Sequence, residues 1–342
     1  MRATEARVVT ALLGKRTVPG RQFAWLPVTT LASGTALRLP MHLLTGATDG
    51  PTLGILTTVH GDETAALMAV RQLLATLDDG AALRGRVAAI PVGNPLAVSV
   101  FNRQTPEQHG KTDLHEAFPG NAGGNLTQRM AHAITTNLLD HVDAFVDIHC
   151  GGLGGRLQNR ADLDASAPKE VYERSLALCR AFNSTFVHAN NLAGTAARYC
   201  NSKSIPTANP EIGGVYLGPE AEKSYLEETV SGLHSMMASL GMIEADAKPA
   251  KPQLLFGVKS RVEVNPSVGG FLQSNFTSPS DLGKRIDKGA KLGEVIGLYT
   301  FETLEELRAP VAGYLFFSRY SGVADAGTKA FGLAEEATST WL

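Results

Sequence analysis

Residues 51–80 read PTLGILTTVHGDETAALMAVRQLLATLDDG, and their patterning decides the fold. Residues 51–59 are a short, apolar, β-branched run, the mark of a buried strand. Beyond it Leu67, Val70, Leu74 and Leu77 recur at helical spacing, and Gly80 supplies a stop. A strand therefore passes almost directly into a helix. His60 and Glu63 stand three apart at the junction.

Working outward, GRVAAIPVGNP (85–95) is a second buried strand closed by an Asn-Pro turn, and DAFVDIHC (143–150) is a third. Helical patterns cover LTQRMAHAITTNLLDHV (126–142), PKEVYERSLALCRAF (168–182), which Pro168 opens, and PEAEKSYLEETVSGLHSMMASLG (219–241). STFVHA (184–189) reads as a further strand. Strands alternating with helices predict an α/β sheet with helices on both faces. Residues 101–124 lack periodicity and read as a long loop, a length at which loops in compact domains are usually functional or disordered.

The pattern changes after ADAKPAKPQ (245–253), a Pro/Lys/Ala linker. Short strands with glycine turns follow, in FGVKSRVEVNPSVGGFLQSN, IDKGAKLGEVIG and APVAGYLFFS. The expected organisation is a catalytic domain over residues 1–245 and a small β-barrel-like domain over 254–342.

Composition narrows the function classes. The 342 residues are 44% hydrophobic and 19% charged, with net charge −2. Such a chain can bury a sizeable core and has no general electrostatic pull on nucleic acid or anionic membrane. No run approaches the roughly 18 apolar residues of a membrane span. The charged stretch MRATEARVVTALLGKR has no secretory core segment. Three cysteines, Cys150, Cys179 and Cys200, form no disulfide framework. A reducing cytoplasm is the expected setting, and a homo-oligomer is compatible with a chain of this class.

Three strand ends carry the chemistry. His60 and Glu63 follow the first strand and would face the crevice beyond its carboxyl edge, where open α/β sheets bind ligands. The plainer reading makes Asp62 a helix cap and Glu63 an answer to the helix dipole. His149 closes a strand before a glycine turn; alone it reads as a core histidine. Together the three form the two-histidine, one-carboxylate set of a catalytic zinc site. Glu211, in NPEIGG on what reads as a mobile, tight turn, could take a proton from water; alone it is a loop glutamate. Arg103, in VFNRQTP, would polarise a carbonyl oxygen, or simply lie on the surface. Cys150 should point away from the metal, because side chains alternate along a strand.

Taken in order, VHGDE, GNPLAVSVFNRQTP, DLHEAFPG, VDIHCGG and PEIGG resemble the succinylglutamate desuccinylase/aspartoacylase family, a branch of the zinc carboxypeptidase-like enzymes. The resemblance runs from about residue 23 to the C-terminus, and Glu63 and His149 lie 86 residues apart, about the family's gap. It implies a mixed, twisted sheet flanked by helices. It also implies one Zn²⁺ per chain on His60, Glu63 and His149, Glu211 as general base, and Arg103 as oxyanion stabiliser. The implied reaction is hydrolysis of the amide of a small N-acylated amine or amino acid.

One departure bears on substrate. The family pattern Asp-Leu-Asn-Arg-x-Phe-Pro-Gly here becomes Asp113-Leu114-His115-Glu116-Ala117-Phe118-Pro119-Gly120. An arginine fork binds carboxylate and a glutamate repels it. The expected consequence is a changed substrate met by His115 and Glu116, with a carboxylate grip moved to Arg198, Arg160 or Arg156, or loss of the activity, as the alternatives. Tyr299 or Tyr314 would be the family's C-terminal tyrosine near the substrate, with core packing the alternative for each. A metallocarboxypeptidase, an esterase and a non-catalytic metabolite-binding protein are the rival readings.

Overall fold

The computed structural model describes residues 7–8, 18–244 and 251–342. Residues 245–250 of the expected linker and most of the charged N-terminal stretch lie outside them. In chain order the strands begin with β1 (Arg7–Val8), β2 (Gly20–Thr30), β3 (Ala36–Thr45), β4 (Thr48–Thr57), β5 (Arg84–Ile90) and β6 (Ala144–Cys150). They continue with β7 (Gly155–Leu157), β8 (Arg160–Asp164), β9 (Phe186–Asn190), β10 (Thr207–Ile212) and β11 (Leu254–Gly257), and nine C-terminal strands end at β20 (Thr340–Trp341). The helices are α1 (Ala65–Thr76), α2 (Pro95–Ser99), α3 (Leu126–Asn137), α4 (Lys169–Phe182), α5 (Ala196–Ser202) and α6 (Pro219–Ser239).

Eleven strands form one mixed sheet in the order β1-β2-β3-β5-β4-β6-β10-β8-β9-β11-β20. Its centre is parallel, from β5 through β4 and β6 to β10, and β8 then pairs antiparallel with β10. The hairpin β2–β3 extends one side, a feature the sequence pattern does not reveal. Period-two alternation in β6 sets the two layers. Ala144, Val146, Ile148 and Cys150 join the core under α1, α4 and α6. Phe145 points the other way, into the core with Met130 and Ile134 of α3 and Cys200 of α5. Asp147 and His149 share that second face. It is therefore apolar at its base and polar near the strand ends.

The long loop 101–124 stays largely irregular, with one 3₁₀ turn at Leu114–Glu116. Buried Leu114 and Phe118 pin it to the α3 side of the sheet. The C-terminal strands form two further sheets, one of four strands and one of five that takes in β7. Exchange with the main sheet is reciprocal. β7 pairs antiparallel with β17 (Gly313–Arg319), while β11 and β20 extend the main sheet beyond β9. No helix among the described residues is long and apolar enough to cross a membrane.

Candidate metal and catalytic centre

β4 ends at Thr57, and the next residue, Thr58, has φ +56°, a left-handed turn that aims residues 60–63 across the strand ends. Gly61 allows the turn to pack. A Cβ there would stand 2.1 Å from the Ala97 carbonyl carbon of α2. α1 starts after Thr64, which makes no side-chain cap, so Asp62 is not the cap that the plainer reading expects. Asp62 instead accepts from the Leu153 N–H at 3.4 Å, tying this turn to the one after β6.

Glu63 is the hub. Its Oε1 lies 2.8 Å from His60 Nδ1 and its Oε2 lies 3.0 Å from His149 Nδ1. Oε1 also accepts from an Arg103 terminal nitrogen at 3.1 Å, and Oε2 from the Cys150 N–H at 3.2 Å. Burial works to raise the Glu63 pKa, but the two histidines outweigh it and hold the carboxyl well below its usual range. The far side of each ring rests on a second carboxylate. His60 Nε2 lies 3.1 Å from Asp113, and His149 Nε2 lies 3.2 Å from Asp147. Both Nδ1 atoms thus face one point with Glu63, and both Nε2 atoms are backed by acid. That is the outer arrangement which orients metal-ligating imidazoles, so the donor set fits a divalent ion.

A third histidine lies close to these two. His115 comes from the long loop, and one nitrogen each of His60, His115 and His149 lie within 4.8 Å of one another. The three rings form a buried cluster able to hold a metal ion. Burial first, then the neighbouring His149, pushes the His115 pKa down to about 3.

Glu211 differs from its expected setting. It lies inside β10, directly opposite His149 in β6 and opposite Arg160 in β8, rather than on a mobile turn. An Arg160 terminal nitrogen approaches Glu211 Oε1 at 3.3 Å. Burial raises the Glu211 pKa against the pull of Arg160. Arg103 is half exposed at the rim, between Glu63 and Asp113.

Other candidates separate clearly. Arg198, on α5, is bound to Asp164 and Asn191. Arg156 donates to the carbonyls of Phe276 and Thr277, in the loop that follows the strand Gly270–Ser274. The Glu116 side chain is exposed and makes no hydrogen bond or ion pair among the described residues. Tyr299 is exposed, and Tyr314 packs on Trp341 and reaches Glu336. The C-terminal tyrosine that meets the Glu211 segment is Tyr320, whose hydroxyl donates to the Val215 carbonyl at 3.0 Å. A cleft of about 340 Å³ between α1 and α6 is lined by Ala65, Met68, Ile212 and Tyr225. It contains none of the histidines and lies on the opposite face of β10 from Glu211.

Asp113 and Asp147, the carboxylates behind the two imidazoles, were absent from the candidates that the sequence offers. Asp147 had a usable signal, since it is two residues before His149 in a strand and must share its face.

The chain is 25% identical over 295 residues to the N-alpha-acetyl-L-2,4-diaminobutyric acid deacetylase of Halomonas elongata, covering 82% of this chain and 77% of the relative. Its fold matches the crystal structure of a succinylglutamate desuccinylase/aspartoacylase from Rhodobacter sphaeroides, with TM-score 0.79 and 20% identity over 93% of this chain and 96% of that one. It matches equally the product-bound ectoine utilization protein EutE (DoeB) of Ruegeria pomeroyi, with TM-score 0.79 and 22% identity over the same shares. Residues 49–240, more than half of the chain, match the Succinylglutamate desuccinylase/Aspartoacylase catalytic domain, and the protein belongs to that family.

Proposed function

We propose that the protein is a zinc-dependent deacylase that hydrolyses the amide of a small N-acylated amine or amino acid. The observation that carries this reading is the convergence of Glu63 on the Nδ1 atoms of His60 and His149, with Glu211 beside His149 in register. The relative in Halomonas elongata acts on an N-acetylated diamino acid, which supports the N-acyl class. His60, Glu63 and His149 would hold the ion. Bound there, zinc would supply a Lewis acid for the carbonyl and acidify the attacking water.

The chain's own groups divide the remaining work. Glu211 takes a proton as water adds to the carbonyl carbon. It returns that proton to the amine nitrogen as the C–N bond breaks, and the acyl group leaves as a carboxylate. Arg103 places a cation at the rim, where negative charge develops on the carbonyl oxygen. Asp113 and Asp147 hold the two imidazoles in the tautomer that leaves Nδ1 free to bind the ion. A peptidase reading is disfavoured because Glu116 takes the motif position of the arginine that would supply a cation for a chain-terminal carboxylate.

The direct test is hydrolysis of a panel of N-acyl amino acids by zinc-loaded protein, with Glu211→Gln as control. Turnover by the wild type and its loss in the variant supports the reading. Stoichiometric zinc with no hydrolysis of any member overturns it in favour of a binding role.

A further inference from the structure

The cleft between α1 and α6 takes no part in the chemistry assigned so far, yet its lining is adjacent in the chain to each proposed reacting segment. Thr64 follows Glu63, Ile212 follows Glu211, and Phe101 lies two residues before Arg103. Side chains alternate along β10, so Ile212 lines the cleft with a buried side chain while Glu211 stays on the face that bears His149. Segments 63–64 and 211–212 are therefore a wall that the cleft and the metal centre share.

The cleft is apolar where it is deep. Ile212 and Val215 are buried, and Tyr225 and Leu226 are half-buried. The charged residues of its lining, Glu222 and Lys223, are exposed and so sit at its outer edge. Two large side chains of the lining, Met68 at 45% and Tyr216 at 76% exposure, are left to water beside this hollow. An apolar occupant would remove that surface from water. The volume of about 340 Å³ is at the lower end for small-molecule sites and suits a short chain, not a macromolecular partner.

Backbone strain marks the same place. Phe101 and Tyr216 both hold left-handed backbone, with φ +46° and +58°, and their ring centroids lie 5.9 Å apart. Bulky residues adopt this conformation at a cost, and such residues cluster at ligand clamps and active sites. Here the contact joins the loop that carries Arg103 to the segment that follows Glu211, on the border between the cleft and the centre.

An amide substrate has two arms. The amine arm takes up charge on release, and an apolar hollow is a poor host for charge. The acyl arm has no such need. We propose that the cleft is the acyl subsite and takes an apolar chain of the size of a hexanoyl or octanoyl group, with Phe101 and Tyr216 as its clamp. The inference rests on the deacylase reading and adds to it the class of acyl group, one larger than the acetyl in the name of the Halomonas elongata relative. On hydrolysis the C–N bond breaks, water supplies oxygen to the carbonyl carbon, and the chain leaves as a fatty carboxylate.

The acyl arm can be tested without choosing an amine, by calorimetric binding of acetate, hexanoate and octanoate to zinc-loaded protein. Octanoate is expected to bind at least about a hundredfold more tightly than acetate, since each methylene taken from water is worth roughly fourfold. Removing zinc should weaken octanoate, because its head group lies at the centre when its chain lies in the cleft. Met68→Trp narrows the cleft from an exposed helix position, and Tyr216→Gly removes half of the clamp while relieving the left-handed backbone. Each should cost octanoate about tenfold more than it costs acetate. The wild-type comparisons stand even if a variant fails to fold. Acetate binding as tightly as octanoate overturns the inference. So does octanoate binding that ignores zinc or both variants, which would mark a site unconnected to the centre. The deacylase reading survives each of these results, because it stands on hydrolysis of the N-acyl panel.

Discussion

Glu211 and His149 face each other across the parallel pairing of β6 and β10, so the proposed base and a proposed metal ligand are fixed by backbone register rather than by a loop. A base held this way needs no closing motion to reach its position. Replacing it should therefore act on chemistry alone. Glu211→Gln keeps the side-chain volume and removes the proton acceptor. Expected is a fall in kcat of roughly 10²–10⁴-fold with zinc content unchanged. Metal analysis of the purified variant beside steady-state kinetics checks both halves, and near-normal turnover would take Glu211 out of the mechanism.

Asp113 touches His60 Nε2 at 3.1 Å, while the other ring nitrogen, Nδ1, meets Glu63. Its effect should appear in affinity. Asp113→Asn leaves an amide that can still meet the ring but carries no charge. Zinc affinity is expected to drop by about 10–100-fold, measured by competition with a chromophoric chelator. Unchanged affinity would show that Asp113 serves the loop and not the metal centre.

The sequence made the strand–turn–helix around His60 and the strand before His149 readable because apolar periodicity was strong there. Glu211 was recognisable as a chemical group but was given the wrong setting. Pro210 precedes it, and proline argues against a central strand because it donates no ladder hydrogen bond. β8 was hidden differently. In Arg160–Asp164 the apolar Ala161 and Leu163 alternate with charged residues that are themselves buried in ion pairs, and charge at every second position reads as a solvated loop. The buried polar row that register sets across β6, β10, β8 and β9, made of Asp147, Asn209, Asp162 and His188, was illegible for a deeper reason. It exists only once strands distant in sequence are set in register, and nothing local encodes that pairing.

Asp162 and His188 form a buried pair whose protonation bears on stability. Burial pushes the His188 pKa below the ordinary histidine value, with Asp162 opposing. Burial also acts to raise the Asp162 pKa, but Arg160 and His188 overcome it and hold the carboxyl below its usual range. For both groups the unfolded chain takes up protons that the native chain refuses. Stability therefore falls as pH drops, first near the unfolded histidine pKa of about 6.5 and further through the carboxylate range. Tm of the zinc-loaded protein between pH 7.5 and 5.5 should decline. His188→Gln, whose amide still donates to Asp162 but does not titrate, should decline less. Identical profiles would remove His188 as a source of the acid sensitivity.

Gly61 separates His60 from the rest of the turn that delivers Glu63, and its lack of a side chain is a packing requirement. A Cβ would stand 2.1, 2.3 and 2.4 Å from the Ala97 carbon, the Ala97 oxygen and the Val98 nitrogen. All three are backbone atoms, so no rotamer change can relieve the overlap, and either α2 or the turn has to move. The turn is held by the Gly61 N–H donating to the Asn102 carbonyl at 2.9 Å, one residue before Arg103. A shift there displaces His60, Glu63 and Arg103 together. Gly61→Ala should cost about 1–3 kcal/mol of stability, the usual cost of overpacking. Its zinc affinity should fall by more than Asp113→Asn loses, because two ligands move at once. Chelator competition and denaturant unfolding on the same preparation separate the two effects, and a variant with normal zinc affinity would show that the turn tolerates the methyl group without moving its ligands.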